Sequence, residues 1–425
     1  MARRRWLLLS FSLLSFCFAG KAQEMTRVRQ TIAHLASPAL HGRGYAFKGD
    51  SLAADYLQQQ YKAIGLRPFP SGYLQPFTLP INILDNRLQL TIDGKALVPG
   101  VDFLAHGATG AGKGEGRVYD IDTLVLADVD VAQQFLTNNL RNKVLVVHQR
   151  HFQQLLSLPD PFQPQLQSVA AVIVRQPGPK LIGTVLGEQL PFPVLEVLEK
   201  AWPKKAKKVT FAVDARLEPQ YRSQNVIGFV PGKIKPDSFV VVTAHYDHLG
   251  HQGKDLYFPG AHDNGSGTAM LLELAHYYAQ PQNTPAYSIA FMAFAAEEAG
   301  LVGSKYYTEH SLFPLGKIKF LLNLDLVSTG EEGLMVVNGS VFPKQFSLLQ
   351  QLNQQHGYLP QIKSRGKAAN SDHYFFSEQG VPSFFFYTLG GTTTEYHHPQ
   401  DKPETLPLTK FKEVMALIQE FVKAL

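Results

Sequence analysis

Cysteine is almost missing from this chain. Among 425 residues there is one, Cys17, so no disulfide can form within the chain and no cluster of thiolates can hold a metal. Cys17 lies in the run WLLLSFSLLSFCFAG, which follows Arg3, Arg4 and Arg5 and precedes Lys21-Ala22. A positive start, a short apolar run and small residues beyond it read as a secretory signal over 1–22. A retained anchor would need roughly 20 apolar residues, more than this run supplies, and bulky Phe16 beside Cys17 argues against lipoprotein processing. A surplus of one charge is missing as well. The formal charge is +5, and losing three Arg and one Lys with residues 1–22 brings it to +1 (5 − 4), which leaves no electrostatic footprint for nucleic acid. Cys17 leaves with the same segment, and any cysteine nucleophile with it. Export without disulfides points to a secreted or periplasmic protein with no membrane span once the signal is cut.

Repeats and low-complexity tracts are also absent. A hydrophobic content of 45% with 11% aromatic residues describes an ordinary globular protein rather than a disordered one, and this length accommodates two domains with cores of their own. Apolar residues recur at helical spacing in MTRVRQTIAHLASPAL and DSLAADYLQQQYKAIGL, separated by the glycine-rich loop HGRGYAFKGD. These place the helical start of a main domain over 23–80. Over 81–218 the texture is β-rich: LQLTIDG, GRVYDI, TLVLA, KVLVVHQ, AAVIVRQ and VTFAV read as short strands between turn residues. This is expected to be an inserted domain. From 219 to 425 long apolar strands alternate with helices (NVIGFVPG, SFVVVTAHYD, GTAMLLELAHYYA, YSIAFMAFAA, KIKFLLNLDLV, VPSFFFYTLG, LTKFKEVMALIQEFVKAL). That alternation predicts an α/β fold, a mostly parallel central sheet with helices on both faces.

Seven residues sit where these strands end: His245, Asp247, Asp263, Glu297, Glu298, Asp325 and His397. In α/β folds the carboxyl ends of buried strands open onto the ligand crevice. So much negative charge in one crevice calls for cations, and mixed imidazole and carboxylate ligands suit zinc, here enough for two ions. Each residue alone has a plainer reading. His245 and Asp247 project to one side of a strand and could be a buried hydrogen-bonded pair. Asp263, in GAHDNGSG, could cap the helix that follows. Glu297 and Glu298, placed at the end of YSIAFMAFAA, project to opposite sides, so one could bind metal and the other act as a general base; a solvated helix start is the alternative. Asp325 closes an apolar strand and needs a partner. His397 in TEYHHPQD has His398 beside it, and the two could be exchanged.

Taken together, the stations His-x-Asp, GAxDNxSG, Glu-Glu, strand-Asp and YHxPxD, in that order, resemble the co-catalytic zinc exopeptidases of metallopeptidase family M28, which includes bacterial aminopeptidases and glutamate carboxypeptidases. The resemblance covers LASPALHGRG through Leu66 and everything from about 219 onward. It implies two zinc ions: His245, Asp263 and Asp325 on one; Asp263, Glu298 and His397 on the other, with Asp263 bridging. Glu297 would be the general base, and Asp247 would hold the second ring nitrogen of His245. His373 in SDHYFF would line the pocket, the Asp263–Asn264 peptide would be cis, and the inserted region is similar to a protease-associated domain. Peptide substrates cut at the N-terminus are the expectation. Carboxypeptidase or dipeptidase action, a glutaminyl-cyclase-like reaction and an inactive binding module are the alternatives. His262 and His398 stand where Asp and Thr are frequent in the family, which alters the pocket's charge without touching the ligands.

Other motifs fall away. GATGAGKG lacks the Ser/Thr of a phosphate loop and leads into a strand. NGSG lacks the GxSxG spacing of a nucleophile elbow. KKAKK (204–208) reads as a solvated turn, and His248 and His251 as surface or hydrogen-bonding residues.

Overall fold

The computed structural model describes residues 24–121, 123–391 and 395–425; the signal expected over 1–22 lies outside them. Sixteen strands follow one another: β1 (Leu74–Ile83), β2 (Leu88–Ile92), β3 (Lys95–Ala96), β4 (Phe103–Ala105), β5 (Gly112–Asp120), β6 (Lys143–His148), β7 (Ala171–Gln176), β8 (Val194–Leu198), β9 (Lys208–Val213), β10 (Arg216–Val230), β11 (Lys235–His245), β12 (Tyr287–Phe294), β13 (Ile318–Leu324), β14 (Gly333–Val337), β15 (Ile362–Arg365) and β16 (Ser383–Leu389). They form two sheets, ordered β1-β10-β12-β11-β13-β16-β14-β15 and β3-β2-β9-β5-β6-β7-β8-β4.

In the first sheet β12, β11, β13 and β16 run parallel, while β1, β10 and β14 join antiparallel. The sheet is therefore mixed, with a parallel heart. Its central strands are unbroken apolar runs because both faces are covered. Alternation shows which residue goes where. Val240, Val242 and Ala244 pack with the helices Gly49–Ile64, Gly267–Ala279 and Phe411–Ala424 on one face. Phe239 and Val241 pack on the other face, with Tyr307 and Phe376. The helix Gly267–Ala279 is buried along almost its whole length, which its apolar run anticipates. Edge strand β1 carries Pro76 and Pro80, and the ladder to β10 slips between Leu79 and Ile81, as a missing donor at Pro80 requires.

The chain leaves this sheet after Ile83 and returns at Arg216. Between them the second sheet has apolar clusters on both faces. It is less purely β than its sequence texture suggests, since the helices Val129–Thr137, Gln149–Leu156 and Gln163–Gln167 line one face. The segment TLVLA, expected as a strand, is a 3-10 turn over Thr123–Leu126. Asp128 then starts a helix by accepting from the backbone N–H groups of Asp130 and Val131, so the chain there commits to helical turns.

β11 pairs with β12 on one side and β13 on the other. The winding direction reverses at that strand, and a crevice opens beyond the carboxyl ends of the three. The candidate residues converge there.

Candidate metal centre

His245 is the last residue of β11. Its Nδ1–H donates to the backbone carbonyl of Asp247 at 3.2 Å, because a carbonyl can only accept. That leaves Nε2 facing Asp263 Oδ1 and Asp325 Oδ1, each at 3.4 Å. The Asp247 carboxylate is 3.7 Å from Nδ1, beyond hydrogen-bond reach. Its oxygens instead accept from the backbone N–H groups of Glu297 (3.2 Å) and Glu298 (3.4 Å). Asp247 thus ties the end of β11 to the turn carrying the glutamates.

Asp263 lies in the loop Ala261–Ser266, and its peptide bond to Asn264 is cis. The loop is fastened from several sides. Asp401 accepts from the backbone of His262 (2.8 Å) and Asp263 (3.1 Å), while Asn264 Nδ2 donates to the carbonyl of Leu324 at 2.9 Å. The largest fastener is Arg43, from the loop HGRGYAFKGD. Fully buried, its guanidinium donates to the carbonyls of Leu35, Tyr246, Pro259, Gly260 and Asp263 at 2.6–3.3 Å. Burial lowers its pKa to about 10 while Asp401 and Asp263 oppose the shift, so it stays charged at neutral pH.

Glu297 and Glu298 stand differently from the sequence expectation. β12 stops at Phe294, and the pair occupies a turn entered through Ala296 at φ 58°. Glu298 Oε2 lies 2.9 Å from His397 Nε2, and its Oε1 accepts from His248 Nδ1 at 2.8 Å. His397 Nε2 is also 3.1 Å from Asp263 Oδ2. His398 turns away to Glu395 at 3.0 Å, so of the two neighbours His397 enters the cluster. His262 bonds Ser328 Oγ at 2.8 Å. His373 is buried 5.3 Å from the Phe385 ring, outside the ligand groups; Asp372 beside it is buried too, with its pKa pushed up to about 7 by burial.

His248, Arg43 and Asp401 escaped recognition as parts of the site from sequence. His248 is fully buried, with Gly260 packed so closely that a Cβ there would lie 2.5 Å from its ring. The signal available was the glycine at φ 59° facing it.

Among the described residues, two sets of donor atoms lie within 4.8 Å of one another: His245, Asp263 and Glu298; and His245, Glu297 and Asp325. Burial favours neutral carboxyls and pushes Glu297 and Asp325 upward. Burial opposes ionisation of Glu298 as well, but His397 and His248 pull its carboxyl down to about 2. Burial likewise opposes protonation of His397, yet Glu298 and Asp263 raise it to about 11. The cluster thus calls for positive charge from whatever can supply it. Asp325 Oδ1 and His397 Nε2 are buried with no hydrogen bond, although carboxylate or imidazole atoms lie close by. Buried donor atoms without a hydrogen bond, in an imidazole and carboxylate set, fit divalent zinc.

Residues 225–422, a little under half of the chain, match the profile of Peptidase family M28. Over 215 residues it is 33% identical to Aminopeptidase YwaD of Bacillus subtilis (strain 168), covering 47% of this chain and 45% of that protein. A probable leucine aminopeptidase of Arthroderma otae is 28% identical over 221 residues, covering 50% of this chain and 61% of its own. The chain spans about half the length of the curated relatives it matches. Among solved structures, BSAP, a zinc aminopeptidase from Bacillus subtilis, superposes with a TM-score of 0.68 at 21% identity over 94% of both chains. A Peptidase M28 precursor from Shewanella amazonensis SB2B gives 0.66 at 17% identity over 95% of this chain and 96% of that one. The shared fold therefore takes in the second sheet as well as the first.

Proposed function

We propose that this protein is a zinc-dependent aminopeptidase, exported from the cytoplasm, that removes residues from the N-termini of peptides. The observation that carries the reading is Asp263: its Oδ1 faces His245 at 3.4 Å and its Oδ2 faces His397 at 3.1 Å. One carboxylate so divided is arranged to bridge two ions. His245, Asp263 and Asp325 would hold the first; Asp263, Glu298 and His397 the second. Ions bound there would supply Lewis acidity, polarising a scissile carbonyl and lowering the pKa of water from about 16 toward neutrality.

The chain's own groups do the rest. Glu297, in the turn fixed by Asp247, accepts the proton of the attacking water and returns it to the departing amine. Asp247 keeps Glu297 and Glu298 in place through their backbone N–H groups, and Arg43 and Asp401 keep the Asp263 loop in place. The aminopeptidase direction is supported by the names of the relatives above, and the exported location by the signal-like segment over 1–22.

Purified protein should contain two zinc ions per chain and release amino acids from peptides with a free N-terminus but not from N-acetylated ones. Glu297→Gln should keep both ions while kcat falls by roughly 10²–10⁴-fold. Undiminished turnover in that variant would remove Glu297 as the base, and turnover of N-blocked peptides with loss of C-terminal residues would reverse the direction. Sequencing the N-terminus of the exported protein tests the cleavage after residue 22.

A further inference from the structure

His397 has a neighbour from the other sheet. The segment 177–193, which connects β7 to β8 without regular structure, reaches back to the metal cluster at Gly183. The two residues clasp each other twice. The Gly183 N–H donates to the His397 carbonyl at 2.8 Å, and His397 Nδ1 lies 3.2 Å from the Gly183 carbonyl. Since a carbonyl only accepts, Nδ1 must carry a hydrogen, and Nε2 is then the ring atom that faces Asp263 and Glu298.

The clasp is held from its own side as well. Leu181 packs with Leu104 and Leu198 of the insertion and with Leu249 and Phe258 of the first unit. Gly183 itself lies against these last two side chains so tightly that a Cβ would meet Leu249 Cδ1 and the Phe258 ring at 2.8 Å. Lys180 pairs with Glu395 at 3.9 Å. At the other end, His397 has φ 51°, a conformation that a non-glycine residue keeps only when its surroundings over-determine it.

We infer that the inserted segment is a working part of the metal centre: through the Gly183 backbone it sets the ring orientation and proton position of His397, and so the affinity of the ion site that His397 completes with Asp263 and Glu298. This rests on His397 being a metal ligand, as proposed above. Gly183 is a positioning residue; it touches no reacting atom. Holding the second nitrogen of a ligand histidine typically changes metal affinity by about 10–100-fold.

The test compares wild type, Gly183→Val, the milder Gly183→Ala and His397→Ala. Zinc affinity at each site is read by chelator competition, and the proton position on the His397 ring by ¹⁵N NMR of the zinc-loaded protein, where the metal-bound nitrogen carries none. In wild type His397 should carry its proton on Nδ1. Gly183→Val, or Gly183→Ala should the larger side chain prevent folding, should weaken one zinc by about 10–100-fold while the other stays tight, and should abolish the single-tautomer signature. Combining the Gly183 change with His397→Ala should add no further loss. If His397→Ala weakens one zinc but the folded Gly183 variant binds both as wild type does, the clasp is refuted and the ligand assignment stands. If wild-type His397 carries its proton on Nε2, the clasp is likewise refuted. If His397→Ala leaves both affinities unchanged, the ligand assignment falls and the clasp with it.

Discussion

The two histidines of the cluster solve one problem in two ways. Each leaves Nε2 directed at Asp263 by giving its Nδ1–H to a backbone carbonyl. For His245 that carbonyl is two residues away, in Asp247; for His397 it is 214 residues away, in Gly183. The first histidine is positioned by the local turn at the end of β11 and follows from the strand itself. The second depends on a segment that folds with another sheet. On the proposed reading, a metal centre assembled in this way would have one half that any correctly formed β11 supplies and one half that reports whether the two units have docked.

Changes at the shared elements should erase this difference, and changes at private ones should sharpen it. Asp263→Ala removes the common carboxylate, and both ions should be lost together with turnover, measured by metal analysis and a peptide assay. Arg43→Lys keeps a charge but has fewer donors for five carbonyls. It should lower stability by on the order of 2–4 kcal/mol in denaturant titration and weaken both ions alike, since the loop it fastens serves both. His248→Gln acts on one half only. Loss of its bond to Glu298 Oε1 should weaken the ion on the His397 side by about 10–100-fold and leave the His245 side unchanged in chelator competition. The smallest effect is expected from Glu196 on β8, buried in the insertion with its carboxyl pushed up to about 7 by burial. The fold prefers Glu196 neutral, so its contribution is fully present below the usual pKa near 4.5 and declines as pH rises through about 7. Glu196→Gln should therefore match wild type at pH 4.5 and exceed it at pH 8 by at most about 3 kcal/mol, with zinc affinities unaltered. Thermal unfolding at the two pH values would show it.

The unequal origins of the two halves also explain what could be read from the chain. The apolar runs of β11, β12 and β13 carry their own burial, so the strands and the acids at their ends were legible as a crevice. The Asp263 loop was legible through its glycines. Arg43 was not, because a lone arginine in a glycine-rich loop looks solvated until Leu35, Tyr246 and Pro259 are seen around it. The flanking glycines were the trace it left: a Cβ on Gly44 would lie 2.5 Å from the Gly250 backbone, a contact between segments far apart in sequence. His248 read as a surface or hydrogen-bonding residue, and it is the second, although nothing local pairs it with Glu298. The backbone donors that Asp247 meets were hidden for a similar reason, as β12 stops two residues before the end of its apolar run.

The excursion into the second sheet begins and ends on facing rungs, for Ile83 pairs with Arg216 across the β1–β10 ladder. Seen from the first sheet, the whole insertion is the tip of one long hairpin. Each doubling of such a tip adds only about 0.6 kcal/mol of closure entropy, so the ladder beneath it is nearly indifferent to how much chain it carries. Material could be lengthened, trimmed or exchanged at that junction with little strain on the sheet, and the contacts that reach back from it, Gly183 on His397, Leu181 on Leu249 and Phe258, and Ala105 on Gln252, would register the swap.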